Sequence, residues 1–212
     1  MPKTWWALVV GALVIATYAG LTVVLGDRMF PAELADSFRS RPWGIFPHAL
    51  FGGTALALGV FQFHRGLLQR HRGRHRLLGK IYLIGCLGTG VAGSYMSFFS
   101  YGGLITHLGF AVLAVGTLTT SLIAYLVIRR GEVVRHREWM IRSYALIFAA
   151  VTLRIELPIL VVIFGGPVAG FLPAYQVIAW LCWVPNAAVG EILIRRSRRP
   201  PLVRAVEGLR LG

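Results

Sequence analysis

With 212 residues, a mean hydropathy of +0.67 and 56% hydrophobic residues, the chain carries more apolar side chains than a soluble core of its size can bury. Charged residues make up only 14%, and 22 Lys and Arg stand against 8 Asp and Glu, for a net charge of +14. In a soluble domain that excess would point to nucleic acid; here the arginines flank apolar runs, which excludes nucleic acid and makes the lipid bilayer the expected partner.

Six apolar runs, at about 5–25, 46–64, 78–99, 104–128, 138–164 and 172–194, are each long enough to span a bilayer. Backbone polar groups cannot stay unpaired in lipid, so each run is predicted to be a helix. The expected fold is an all-α polytopic membrane bundle, one transmembrane domain over residues 1–212, with a four-helix core from the second to the fifth helix. The first run follows Lys3 and exceeds the h-region of a signal peptide, so it is expected to span. In the third, Gly85, Gly88, Gly90 and Gly93 allow close helix packing or leave room for a flat cofactor. The fifth holds Arg154 and Glu156, two residues apart and therefore on different faces, and Pro158, which frees the Arg154 carbonyl and predicts a kink. The sixth carries Pro185 and Asn186, predicting another kink with the Asn bonding across helices, and Glu191, placed to snorkel. Cys86 and Cys182 lie inside apolar runs and read as small buried hydrophobes.

Arginines set the orientation. Arg65, Arg70, Arg72, Arg74, Arg76 and Lys80 follow the second helix, Arg129, Arg130, Arg135 and Arg137 the fourth, and Arg195, Arg196, Arg198, Arg199, Arg204 and Arg210 the sixth. The opposite side has only Arg28, Arg39 and Arg41. The positive-inside rule then places both termini in the cytoplasm of a bacterial inner membrane, with Trp5, Trp6, Trp43 and Trp139 as an aromatic belt.

The histidines are the most informative feature. His48, His75, His107 and His136 open the second to fifth helices, while His64 and His71 lie in or beside the basic loop. Alternating direction sets His48 and His107 near the outer face and His75 and His136 near the cytoplasmic one. In a bundle wound in order, each pair lies on a diagonal, as two haems stacked across a membrane would require. Haem iron takes neutral imidazole, and a helix N-terminus disfavours the protonated ring. His48, His107, His75 and His136 are therefore the candidate metal ligands of one or two haems b, with Arg154 as a candidate cofactor contact. Against this stands the plainer reading of interface histidines contacting headgroups or loops.

Several stretches resemble a family of bacterial membrane proteins catalogued as domain of unknown function 2306: HALFGGTALALGVFQF from His48, HRLLGKIY from His75, HREWMIRSYALIFAAVTLR from His136, and AWLCWVPN from Ala179. The resemblance implies the membrane architecture and includes histidines matching His48, His75 and His136. The histidine layout is also similar to that of two-haem transmembrane cytochromes b served by ascorbate, which implies electron transfer across the membrane. Three functional classes stay open. The first is a haem b electron-transfer protein, a membrane oxidoreductase if an enzyme, with a quinone or a redox protein as partner. The second is an accessory or assembly subunit of a larger respiratory or photosynthetic complex, without its own haem. A solute carrier using Arg154 and Glu156 is the weakest, because the sequence shows neither an inverted repeat nor paired broken helices.

Overall fold

A computed structural model describes residues 3–30, 32–64 and 70–198. Arg65, Arg199, Arg204 and Arg210 of the basic clusters lie outside these residues. The apolar runs form helices α1 (Lys3–Leu25), α2 (Pro42–Gly59), α3 (Arg72–Ser97), α4 (Leu104–Arg129), α5 (Val133–Ile147), α6 (Ala149–Ile163), α7 (Phe171–Leu181) and α8 (Val184–Arg198). α5 with α6, and α7 with α8, make up the fifth and sixth spans, so the described residues contain six segments long and apolar enough to cross a membrane. Val24, Val91 and Val162 are among many large apolar side chains left exposed on the outside, as lipid contact requires.

Helix starts fall earlier than hydropathy suggests. Pro42 in the first turn, with φ already helical, begins α2. α3 begins within the arginines at Arg72, since Arg favours helix and its stem reaches back to water. His75, His107 and His136 thus sit in the first turn of α3, α4 and α5, as the sequence predicts. His48 does not: it is the seventh residue of α2, almost two turns inside.

Both kinks take a different form from a simple proline bend. The fifth span breaks at Phe148, ten residues before Pro158, and α6 runs unbroken through that proline. The sixth breaks at Cys182 and Trp183, just before Pro185, as expected for a residue that disfavours helix ahead of it. Asn186 donates across helices to Thr152 Oγ1 at 2.9 Å, and Thr152 donates to the freed Cys182 carbonyl at 2.7 Å. Both spans are therefore interrupted, as the two predicted kinks anticipate, and they meet at the bridge between Thr152 and Asn186.

α2 packs on α3, α3 on α4 and α4 on α5, with α5 closing lightly on α2; α1 covers α2. Glycines make these approaches possible. A Cβ on Gly85 would fall 2.9 Å from the Phe51 carbonyl, one on Gly88 2.4 Å from the Phe51 ring, and one on Gly90 2.6 Å from Leu118. Close packing thus accounts for Gly85, Gly88 and Gly90. Gly131, at φ +78°, makes the tight turn from α4 to α5 that sets His136 beside the end of α4. Tyr82, Cys86, Leu56 and Val60 form the buried centre of the inner half, and Cys182 is buried with Ile178 in the outer half, so both thiols are free and packed as apolar groups.

In the outer half the packing is looser. α6 packs on α7 and, more lightly, on α1, but stands off from α2, α3 and α4.

Candidate functional site

The inner end holds the first constellation. His136 Nδ1 donates to the Ala124 carbonyl at 2.8 Å, fixing the tautomer and leaving Nε2 without a protein partner. His75, half-buried on α3, lies within electrostatic range of His136, with Arg76 beside it. Its Nδ1 is buried with no hydrogen-bond partner. Gln62, in the turn closing α2, packs against Gly79, one helical turn beyond His75, and its Nε2 is likewise buried and unpartnered. Buried polar atoms without partners are uncommon and ask for a reason, of which an unseen ligand is one. Gln62 did not stand out in the sequence, although a lone amide inside the run GVFQFH was the available signal.

The outer end holds the second. His48 Nδ1 lies 3.2 Å from Thr89 Oγ1 and 3.4 Å from the Thr89 carbonyl, so α3 orients the ring and leaves Nε2 free. A Cβ on Gly93 would come 3.3 Å from this ring, so this glycine makes room for the imidazole. Arg154 lies over the Tyr18 ring at 5.0 Å and donates to the Ala150 carbonyl at 2.9 Å. It is within electrostatic range of both His48 and Tyr175, and among the described residues no carboxylate pairs with it. His48 and Arg154 both carry ample accessible surface.

His107 is placed elsewhere. Its Nε2 donates to the Ser100 carbonyl at 2.9 Å, tying the ring to the α3–α4 loop. Gly93 faces both His48 and Ala114, so His48 sits level with a residue about 10 Å further down α4 than His107. The structure thus brings His75 towards His136 and does not bring His48 to His107. Glu156 points away from Arg154 towards Cys182, with one oxygen buried and unpartnered. Glu191 is held by Arg142 through two bonds of 2.5 and 3.1 Å, a partner the sequence did not announce. Among the described residues no three His, Cys, Asp or Glu side chains converge as a bare metal ion would need.

Two shallow apolar grooves of about 660 and 340 Å³ flank Trp43 on the lipid-facing side of α2. Neither is lined by His48 or Arg154, and acyl chains suit them.

These features define a polytopic membrane helix bundle with histidines in the first turns of three helices and an arginine within its fifth span that no carboxylate pairs among the described residues. The chain belongs to the family described as "Predicted membrane protein (DUF2306)", whose sequence profile matches residues 45–194 and so takes in all four candidate histidines and Arg154. No curated protein and no solved structure matches it.

Proposed function

We propose that this is an integral membrane haem b protein of electron-transfer type, with one haem held between His75 and His136 at the arginine-rich face. The observation that supports it is the state of these two rings. One is anchored through Nδ1 with Nε2 free, and the other, within electrostatic range, has a buried nitrogen without a partner. A b-type haem asks for two such neutral imidazoles, and Arg76 beside His75 suits a propionate. When bound, the haem supplies one-electron chemistry; the chain orients its ligands through the Ala124 carbonyl and walls it from water with α2 to α5. A second haem on His48 and His107 is not part of this reading, because His107 is tied to Ser100. By the positive-inside rule the haem face is cytoplasmic, in a bacterial inner membrane.

The purified protein should show a six-coordinate, low-spin haem spectrum. His75→Ala and His136→Ala should each abolish it, and His107→Ala should leave it intact. A colourless protein, or full haem content in His136→Ala, would reject the assignment.

A further inference from the structure

The two grooves on the lipid-facing side of α2 share one wall. Trp43, Pro47 and Phe51, spaced four residues apart on one face of α2, line both and stand between them as a ridge. The wider groove is closed on its far side by α3, from Ile84 to Tyr95, and the narrower by Val23 of α1. At 1.5 Å per residue, Ile84 to Tyr95 is about 16 Å, and Pro42 to Phe51, which bounds the narrower groove, is about 14 Å. Half the hydrocarbon thickness of a bilayer is about 15 Å, so each groove has the depth of one leaflet. Trp43, 90% exposed at the outer end of the ridge, stands where an indole marks the headgroup level.

A cation stands at that level. Arg41 directly precedes α2, and its guanidinium lies over the Phe99 ring at 4.0 Å. Phe99 meets Tyr95 at 5.2 Å between centroids, and Tyr95 lines the wider groove. One nitrogen of Arg41, Nη1, donates to the Ser37 carbonyl, Ser37 Oγ and Ser40 Oγ, which fixes the group in its own loop. Its Nε and Nη2 make no hydrogen bond among the described residues. Arg39 is paired with Asp27 and Asp36, whereas no carboxylate pairs with Arg41 among the described residues. A guanidinium held on one side and open on the other suits a phosphate.

A fatty acid would fill one groove and leave the other. A helix of another protein, about 10 Å across, would have to seat on the protruding Trp43 indole. A phosphate above two apolar chains matches the cation and both grooves together.

We propose that α2 carries a binding site for one diacyl phospholipid of the leaflet opposite the arginine-rich face. Its phosphate accepts from Arg41, and its two acyl chains lie on either side of the ridge from Trp43 to Phe51. The site does not depend on the haem.

The test is a titration of the purified full-length protein in detergent with phosphatidylglycerol bearing dibrominated acyl chains, whose bromines quench nearby indoles, read by tryptophan fluorescence. Quenching should saturate at one equivalent, and Trp43→Phe should remove most of it. Arg41→Gln should raise Kd about tenfold or more, the loss expected of a charge-assisted hydrogen bond. Diacylglycerol with the same chains lacks the phosphate and should compete about tenfold more weakly than the phospholipid for wild type, but equally well for Arg41→Gln. Val91, 64% exposed, lines the wider groove, so Val91→Trp fills that groove from outside the core and should weaken binding to a similar degree. It carries the test if Arg41→Gln does not fold. The proposal is overturned by quenching that does not saturate or that saturates at two equivalents, by quenching that survives Trp43→Phe, by an unchanged Kd in folded Arg41→Gln or in Val91→Trp, or by diacylglycerol competing as well as the phospholipid for wild type.

Discussion

Arg142 of α5 and Glu191 of α8 stand near the inner edge of the bundle, where either charge by itself would cost several kcal/mol. Together they form a two-pronged pair at 2.5 and 3.1 Å, with Arg142 also lying over Trp139 at 4.6 Å. Because Glu191 is 41% exposed, solvent weakens the pair, and Arg142→Gln should cost about 1 kcal/mol rather than the several expected of a fully buried one. A drop of about 2–4 °C in thermal midpoint would register that loss in detergent. The same residues show what sequence leaves unsaid. Glu191 reads as a snorkelling end residue because its partner lies 49 positions back. The amphipathic pattern of one helix carries no trace of such a partner. Thr89, which orients His48 from 41 positions away, was invisible for the same reason. That His75 and His136 stand in the first turn of their helices was legible from run position. Which nitrogen each ring offers was not, since that depends on the carbonyls of neighbouring helices.

At the scale of elements, length and apolarity were enough to place all six spans, because a lipid-crossing segment has one solution for its backbone. Their starts and breaks were less legible. Arginine-rich turns look like loops to hydropathy yet continue the helix, and the interruption at Phe148 has no proline within reach to announce it. Helix contact is where glycine matters most. Gly109 of α4 lies so close to α7 that a Cβ there would stand 2.7 Å from the Ala179 carbonyl oxygen, and that neighbour is backbone and cannot turn aside. Gly109→Val should therefore prise α7 from α4 and destabilise the protein by about 1–3 kcal/mol, the usual cost of overpacking. Denaturant or thermal unfolding against wild type measures it. Gly20→Val, on a face with nothing within 4 Å, is the control and should change little.

For the whole molecule, the arginine distribution predicts orientation. A single cysteine introduced on the loop at 27–41 should react with an impermeant maleimide added outside intact cells, and one placed beside Arg72 should not; the reverse pattern would exchange the two faces of the proposed sites. The sparse contact of α6 with α2, α3 and α4 lay beyond the sequence, because no residue pattern encodes which neighbour a helix will lack.

The break at mid-depth divides the protein mechanically. Below it, α5 and α8 are clamped by Arg142–Glu191 and by Arg198 on Glu138. Above it, among the described residues, no ion pair holds α6 or α7; they lean on each other, on α1 and α4, and on the bridge from Asn186 to Thr152. The charged clamps thus fall in the inner half, while the outer half is held by apolar packing and one polar bridge. A tilt of the hairpin from Ala149 to Leu181 would break fewer strong bonds than the same tilt of α5 against α8.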